Sequence, residues 1–316
     1  MQAGHYRCST LAYYPMTRRF TNLAGSGLLT IALLLAHKEA KAQDDLLKTL
    51  ETQATDSARA EYVQATFKGT RVINGQSVET PGAGTMVFLI SHRFGTLNSG
   101  AYNFFGLDQA TIRLGLEYGL NDRITVGVGR SSLEKTYDGF LKYRALRQST
   151  GPRATPVSVT LFASSALTSL KFTGEDRPDH SRLTYTYQAL IARKFSPALS
   201  LQLMPTLVHR NFVDTRAQQN DVYALGIAGR QKLTKRVALT AEYYYLLPGN
   251  TANEFRNSLA VGFDIETGGH VFQLHFTNSQ GMIEKFFIPQ TTGRWTKGDI
   301  YFGFNISRVF TLKGKE

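Results

Sequence analysis

Ionisable side chains recur at alternate positions of segments whose other positions are apolar, and they carry most of the chemical potential of this sequence. On one such segment, Arg113 and Glu117 share a face with Thr111, Gly115 and Gly119. A face of mixed charges can select an anion or a small polar solute, or its members can pair and fill an interior. The pattern leaves both interpretations open. The candidate lumen-lining residues are Arg93, Arg113, Glu117, Lys142, Arg144, Arg230, Glu242, Asp264 and His275.

Serine and histidine side chains offer a second chemistry, ester hydrolysis. It needs a serine hydroxyl within hydrogen-bond reach of a histidine, with a further group to orient the imidazole. His209 with Ser165, or His275 with Ser258, would meet only if the strand register brought them together. We therefore predict no enzyme and no catalytic residues, with a barrel lipase-type hydrolase as the alternative.

Metal and cofactor sites have little support in the sequence. A metal site wants two or three ligands at suitable spacing. His270 and His275 are five residues apart, so on a strand they point to opposite faces. Nucleotide-binding and haem-attachment motifs are absent from the sequence, and the one cysteine, Cys8, lies near its beginning. The prediction is no metal and no cofactor.

The elements that must position these side chains are β-strands, as the segment 110–130 shows most clearly. Apolar residues occupy every second position of its two arms, ATIRLGLEYG and RITVGVGR, and a polar turn around Asn121-Asp122 joins them. A period of two on both sides of a turn predicts an antiparallel hairpin. One face is apolar, and the other mixes opposite charges with glycine. This division is typical of a barrel wall that separates lipid from a polar lumen.

Twelve segments of this type follow position 84, and most have about the 9–11 residues that a tilted strand needs to cross a membrane. The connections between them alternate between long and short, with exceptions at 132–136 and 147–155. Barrels of bacterial outer membranes have an even strand number, long outer loops and short periplasmic turns. The predicted strands are 85–95, 109–119, 123–131, 137–145, 156–166, 183–195, 199–210, 221–233, 236–247, 257–266, 270–278 and 298–312.

The N-terminus has the features of an export signal. Arg18 and Arg19 precede an apolar segment at 28–36, and Ala40-Lys41-Ala42 matches a small-x-small cleavage site. We predict that residues 1–42 comprise an upstream extension and a cleaved signal peptide, with Met16 as the more ordinary start.

Residues 43–84 are predicted to form a short periplasmic segment ahead of the barrel. Its first part has leucines at helical spacing, and its second part has β-type residues around Asn74-Gly75. That second part is expected to form a hairpin that either packs at the barrel mouth or plugs it. The barrel itself is predicted to cover residues 85–312.

The charge balance is basic, with 36 Lys and Arg against 24 Asp and Glu. Removing residues 1–42 takes away five basic residues and one acidic residue, which lowers the formal charge from +12 to +8. The basic residues are scattered singly instead of forming a stripe, so nucleic acid is not an expected partner. Anionic lipid head groups, or a lumen that favours anions, account for the charge more economically.

The last long connection, 279–297, is unusually apolar and holds the single tryptophan, Trp295. Phe286, Phe287 and Trp295 could fold inward as a constriction of the lumen. The alternative, which the composition favours, is that this loop lies in the aromatic belt with Trp295 at the head-group level.

Four strings, TFKGTRVINGQSVE, ISHRFG, YGLNDRITVGVGRS and GDIYFGFNISRVF, together resemble an outer-membrane β-barrel family of Bacteroidota, domain-of-unknown-function family 5777. The resemblance spans about residues 60–312. It implies a membrane-bound barrel and supplies no catalytic or binding residues. Its members are expected beside exported redox and electron-transfer proteins, which implies a periplasmic redox partner as one hypothesis.

The sequence thus predicts an all-β protein, a single up-and-down transmembrane barrel of about twelve antiparallel strands in a bacterial outer membrane, in contact with its lipids. The first functional hypothesis is a narrow pore or passive transporter for small polar or anionic solutes. The second is a non-conducting structural or interaction barrel that serves a periplasmic redox partner. An enzyme that acts on lipids is the third.

Overall fold

The computed structural model describes residues 61–152, 154–171, 178–249 and 251–312. The chain from Ala60 onward forms one compact unit. The predicted signal peptide and the predicted helix at 44–60 lie outside the described residues.

Twelve antiparallel strands close into a barrel, in which each strand pairs with its neighbours in sequence and the last pairs with the first. This confirms the predicted all-β barrel, and the predicted strand bounds agree within a few residues. The strands are β1 (Thr85–Thr96), β2 (Ala110–Gly119), β3 (Ile124–Ser131), β4 (Thr136–Leu146), β5 (Ser158–Thr168), β6 (Leu183–Lys194), β7 (Leu199–Arg210), β8 (Asp221–Lys232), β9 (Val237–Leu246), β10 (Ser258–Thr267), β11 (His270–Thr277) and β12 (Tyr301–Thr311).

The alternation of the sequence sets which side chains face outward. On β2, Leu114 is 45% exposed, whereas its neighbour Arg113 is 1% exposed. On β9, Tyr243 and Tyr245 are exposed and Tyr244 is buried. The outer surface is therefore an apolar wall of Leu, Ile, Val, Phe and Tyr, and the interior receives the other face of each strand.

The two rims of the barrel differ in the length of their connections. The rim at which β1 begins is called the plug-side rim here, after the segment 66–79 described below. It carries the connections 120–123, 147–157, 195–198, 233–236 and 268–269. The opposite rim carries 97–109, 132–135, 169–182, 211–220, 247–257 and 278–300.

Short helical segments occur in the connections of the opposite rim. They are 3₁₀ turns at Leu97–Ser99, Ala101–Gly106, Leu133–Lys135, Asp179–Arg182 and Trp295–Lys297, and a single α-helical turn, α1, at Glu284–Phe287. A two-residue ladder between Glu61–Tyr62 and Ser149–Thr150 lies at the plug-side rim. Within the described part of the chain, no helix is both long and apolar enough to cross a membrane.

Candidate functional site

The segment 66–79, here called the plug, lies inside the barrel. Its apolar residues Phe67, Val72, Ile73 and Val78 are all buried. The plug forms a tight hairpin, in which the Val72 N–H donates to the Gly75 carbonyl at 2.9 Å. The predicted turn at Asn74-Gly75 is therefore present. Of the two positions that the sequence left open for this hairpin, the structure shows the one inside the barrel.

The tip of the plug is held by one carboxylate of the wall, that of Glu242 on β9. The N–H groups of Ile73, Asn74 and Gly75 donate to the Glu242 carboxylate at 3.2, 2.8 and 3.0 Å. Successive N–H groups of a turn that converge in this way form an anion-binding concavity. A Cβ on Gly75 would collide with the Tyr244 hydroxyl, so the turn requires glycine for this close approach.

Lys142 on β4 holds the base of the plug through its carbonyls. The Lys142 ammonium donates to the carbonyl oxygens of Thr70, Ser77 and Glu79 at 2.9, 3.2 and 3.3 Å. Three donors and three acceptors match, so this fully buried cation is satisfied by hydrogen bonds without a carboxylate in direct contact. Near the rim, the Arg144 guanidinium donates to the Thr80 carbonyl at 3.2 Å.

Amide side chains of the wall bind further backbone groups of the plug. Gln202 accepts from the Val78 N–H and donates to the Gln76 carbonyl, both at 2.7 Å. Gln273 donates to the Val72 carbonyl at 2.7 Å, and Asn305 donates to the Ile73 carbonyl at 2.9 Å. The wall therefore replaces the partner strand that a buried hairpin needs. No sequence signal pairs Gln202 or Asn305 with the plug.

From the opposite rim, the connection 279–294 folds into the barrel and meets the plug; we call it the re-entrant loop. The Glu284 carboxylate at the start of α1 accepts from Arg71 at 3.3 Å and from Gln76 at 3.0 Å. Phe287 is fully buried, and its ring packs edge-on against Tyr244 at 5.1 Å between centroids. Plug and loop together fill the interior from both ends.

The expectation that this loop lies in the aromatic belt is wrong for Phe286 and Phe287, which are both buried. Burial inside the barrel removes their rings from both water and lipid. Trp295 lies instead near the rim, where it is partly exposed and its indole N–H donates to the Leu259 carbonyl at 3.3 Å. Only two of the three constriction candidates therefore lie in the interior.

Arg113 forms the best-aligned buried ion pair, with a partner that the sequence analysis missed. Its guanidinium binds both carboxylate oxygens of Asp138, with Nε–Oδ1 at 2.9 Å and Nη2–Oδ2 at 2.5 Å. Asp138 lies on β4, two strands from β2. Gly115 and Gly129 leave room for the guanidinium, because a Cβ at either position would contact it. The space that this guanidinium needs therefore explains why glycine occupies the inner face of the hairpin 110–130.

The other predicted interior charges form few of the ion pairs expected among them. Arg230 pairs with Asp264, with Nε–Oδ2 at 3.5 Å, and also with Glu266 at 2.7 Å. Arg93 contacts the side chains of Asn74 and His275. Glu117 is buried, and its carboxylate makes no hydrogen bond within the described part of the chain. Four of the nine candidates therefore contact the plug instead of one another: Arg93, Lys142, Arg144 and Glu242.

One sector of the interior is apolar, which corrects the expectation of a polar lumen on every strand. The apolar side chains of this sector pack with the apolar side of the plug and with Phe287 and Ile288. The signal that could have revealed them is the presence of apolar residues on both faces of β5 to β8. The sector consists of Phe140, Phe162, Leu190, Met204, Val208, Val222, Ala224, Ala228 and Tyr244.

The first serine–histidine pair considered for hydrolysis is separated by a strand. Ser165 is opposite Tyr185, which in turn is opposite His209. Two strand spacings place Ser165 and His209 about 10 Å apart across the sheet. The His209 imidazole instead forms a 2.6 Å hydrogen bond with the Asp221 carboxylate.

The second pair is separated along the strands. His275 is opposite Gly262, four residues from Ser258 on β10. That offset is about 13 Å along the strand.

Among the described residues, no group of three or more His, Cys, Asp or Glu side chains is arranged to hold a metal ion.

Comparison with known proteins bears on the fold. Residues 67–310 match the family described as a membrane-bound β-barrel domain, DUF5777. No match was found among curated proteins.

Three solved structures illustrate the likeness. The NanC porin is 8% identical, with a TM-score of 0.43, and the match covers 72% of this chain and 100% of that chain. An outer membrane channel from Pseudomonas putida F1 is 14% identical, with a TM-score of 0.43 and coverage of 73% and 97%. Outer membrane phospholipase A from Escherichia coli is 12% identical, with a TM-score of 0.38 and coverage of 71% and 88%. Because the family match spans most of the sequence and the strands close into a barrel with an apolar outer wall, this chain belongs to the DUF5777 family of membrane-bound β-barrel domains.

Proposed function

We propose that this chain is a bacterial outer-membrane barrel that does not conduct as folded. It serves as an anchor that holds residues 61–65 at the plug-side rim, where a periplasmic partner can reach them. The observation that carries the proposal is the packed interior. The lumen candidates Arg93, Lys142 and His275 are fully buried, whereas charges that line a working pore are wet.

The contacts of the plug support a closed resting state. Glu242, Lys142, Gln202, Gln273 and Asn305 all bind backbone N–H or carbonyl groups of the plug. Withdrawal would leave these groups unpaired unless water replaced the plug, and it would also expose the apolar sector. The closed state is therefore favoured by polar and apolar contacts together. A redox protein is the kind of partner that the family resemblance implies.

A gated passage for small polar or anionic solutes is the second candidate, and the nature of the wall contacts favours it. Most of these contacts are made to the plug backbone, and Glu242 and Lys142 bind it from opposite sides. Water can replace hydrogen bonds of this kind. A force applied to the chain before the plug would therefore break contacts that water can satisfy. The emptied interior would then present Arg93, Lys142 and the freed carboxylate of Glu242, a mixed set of charges that suits small polar solutes.

Hydrolysis is not proposed, because the strand register separates both serine–histidine pairs considered. A test would measure ester hydrolysis by the purified barrel in detergent, with His209→Ala and His275→Ala as variants. Turnover abolished by either substitution would support an enzyme.

Conductance across planar bilayers tests the main proposal. The wild-type barrel is expected to be silent, and a variant lacking residues 66–79 is expected to conduct if the re-entrant loop yields. Wild-type channels whose ion preference changes in Arg113→Ala or Glu242→Ala would contradict the non-conducting anchor and support the narrow pore. A plug deletion that stays silent would exclude the gated passage but leave the anchor in place.

A further inference from the structure

The outer wall contains a depression of about 840 Å³ on β4 to β8. The outward-facing residues at its floor are small: Ala163 on β5, Ala189 on β6 and Pro205 on β7. They lie on two adjacent cross-strand rows. Ala189, opposite Leu161, and Pro205, opposite Leu225, are on one row, and Ala163, opposite Tyr187, is on the next. Large outward-facing side chains surround the floor. These are Leu141, Tyr143, Leu161, Tyr187, Leu207, Tyr223 and Leu225.

The depression coincides with an interruption of the β6–β7 ladder. Pairing is present at Gln188–Thr206 and again at Ile191–Leu203, but it is absent for the two positions between them. Pro205 has no N–H to donate, which explains why the ladder opens at this point of an interior strand. Gln188 and Thr206, the last pair before the interruption, also line the depression, here called the groove.

We propose that this groove binds one acyl chain of a phospholipid, whose phosphate lies against Arg193. The lining is almost wholly apolar, and ligand sites have volumes of about 300–1,000 Å³. Ala189 lies near the middle of β6, so the groove is at the depth of the hydrocarbon. Association within lipid depends on close packing, which a flexible chain in a concave site provides.

The charge that completes the site lies on the same strand and the same face. Arg193 is exposed at the plug-side end of β6, four residues from Ala189. That distance is about 13 Å along the strand, or about 10 Å of depth for a strand tilted by about 40°, which places Arg193 closer to the head groups than the groove is. A phospholipid of the plug-side leaflet can therefore place its phosphate at Arg193 and the end of its chain in the groove.

A second copy of the chain is a poorer occupant than a lipid. In a two-fold dimer the same patch faces itself. Two concave floors of Ala163, Ala189 and Pro205 would then enclose a cavity instead of filling one.

Native mass spectrometry tests the site. The barrel would be folded into vesicles of phosphatidylethanolamine and phosphatidylglycerol, extracted into detergent and delipidated stepwise. Wild type is expected to retain one phospholipid after annular lipid is lost. Ala189→Leu, which fills the floor, is expected to reduce that retention at least tenfold, and Arg193→Gln several-fold.

Ala241→Leu is the matched control, because Ala241 is an outward-facing alanine on β9 away from the groove; it is expected to retain lipid like wild type. Ala163→Leu gives a second filled floor should Ala189→Leu not fold, as judged by the mobility of unheated samples in gels. Equal retention in wild type and in a folded filled-floor variant would overturn the proposal. So would a wild-type dimer that the filled floor dissociates, or a retained lipid without a phosphate ester.

Discussion

Replacing Glu242 by alanine should loosen the plug, because this single carboxylate accepts three of its backbone N–H groups. The acceptor distances are 3.2 Å from Ile73, 2.8 Å from Asn74 and 3.0 Å from Gly75. A buried donor that loses its partner costs about 1–3 kcal/mol. Three such donors give about 3–9 kcal/mol, and the lower value applies if water enters the vacated space.

The expected result is a large rise in the population of molecules whose plug is withdrawn. A change of about 3 kcal/mol corresponds to more than a hundredfold. Val72→Cys reports on this equilibrium, since Val72 is 1% exposed and cysteine is a small apolar substitute. The rate at which a membrane-impermeant maleimide labels this thiol follows the open population when closing is faster than labelling. The mature chain is predicted to lack Cys8, so the introduced thiol is the one measured.

Glu117→Gln is the matched control, because Glu117 is also a buried carboxylate of the wall but makes no hydrogen bond to the plug within the described residues. Its labelling rate should stay close to that of Val72→Cys alone. Glu242→Gln keeps one acceptor oxygen and should fall between the two. If Glu242→Ala labels within threefold of the control, the carboxylate does not hold the plug and the reasoning is refuted.

Three further substitutions test the interior. Arg113→Ala should lower the free energy of unfolding by about 3–5 kcal/mol, because it leaves Asp138 buried without its partner; in urea unfolding, the double variant with Asp138→Ala should lose less than the single one, and equal losses would contradict a pair. Gly127→Ala should cost about 1–3 kcal/mol, because its Cβ would overlap the Phe140 ring; Gly139→Ala, whose Cβ would have an ordinary contact at 3.8 Å, is the control and should be nearly neutral. Phe287→Ala should cost about 3–5 kcal/mol by leaving a cavity against Tyr244; Trp295→Phe at the rim should cost much less, and the reverse order would place the re-entrant loop outside the barrel.

The strands were largely predictable because their signal is local. A strand that meets lipid on one side alternates apolar and polar residues whatever its partners are, so β9 and β10 could be assigned inner and outer faces from the sequence. The Asn74-Gly75 turn is equally local, since those two residues favour a tight turn by themselves. Strand number and the order of the connections followed from the same pattern.

The binding partners of the interior charged side chains were not predictable, because they depend on strand register and on segments far apart in sequence. Glu242 and Asn74 are 168 positions apart, and nothing near either residue indicates the other. Arg113 was assigned correctly to the interior, but its partner Asp138 depends on the register of three adjacent strands. Phe286 and Phe287 are of a residue type that is typical of the aromatic belt, and only the closed barrel shows that their loop turns inward.

The sequence by itself determined that this chain is a transmembrane barrel and which face of each strand meets lipid, because alternation at a period of two is a property of single strands. Only the tertiary structure decided that the interior is packed. Closure of twelve strands brings Glu242 and Lys142 onto opposite sides of one hairpin, where carboxylate and ammonium satisfy its N–H and carbonyl groups. Whether a buried charge lines a passage or holds a plug depends on what occupies the space before it, and that is a long-range property of the fold.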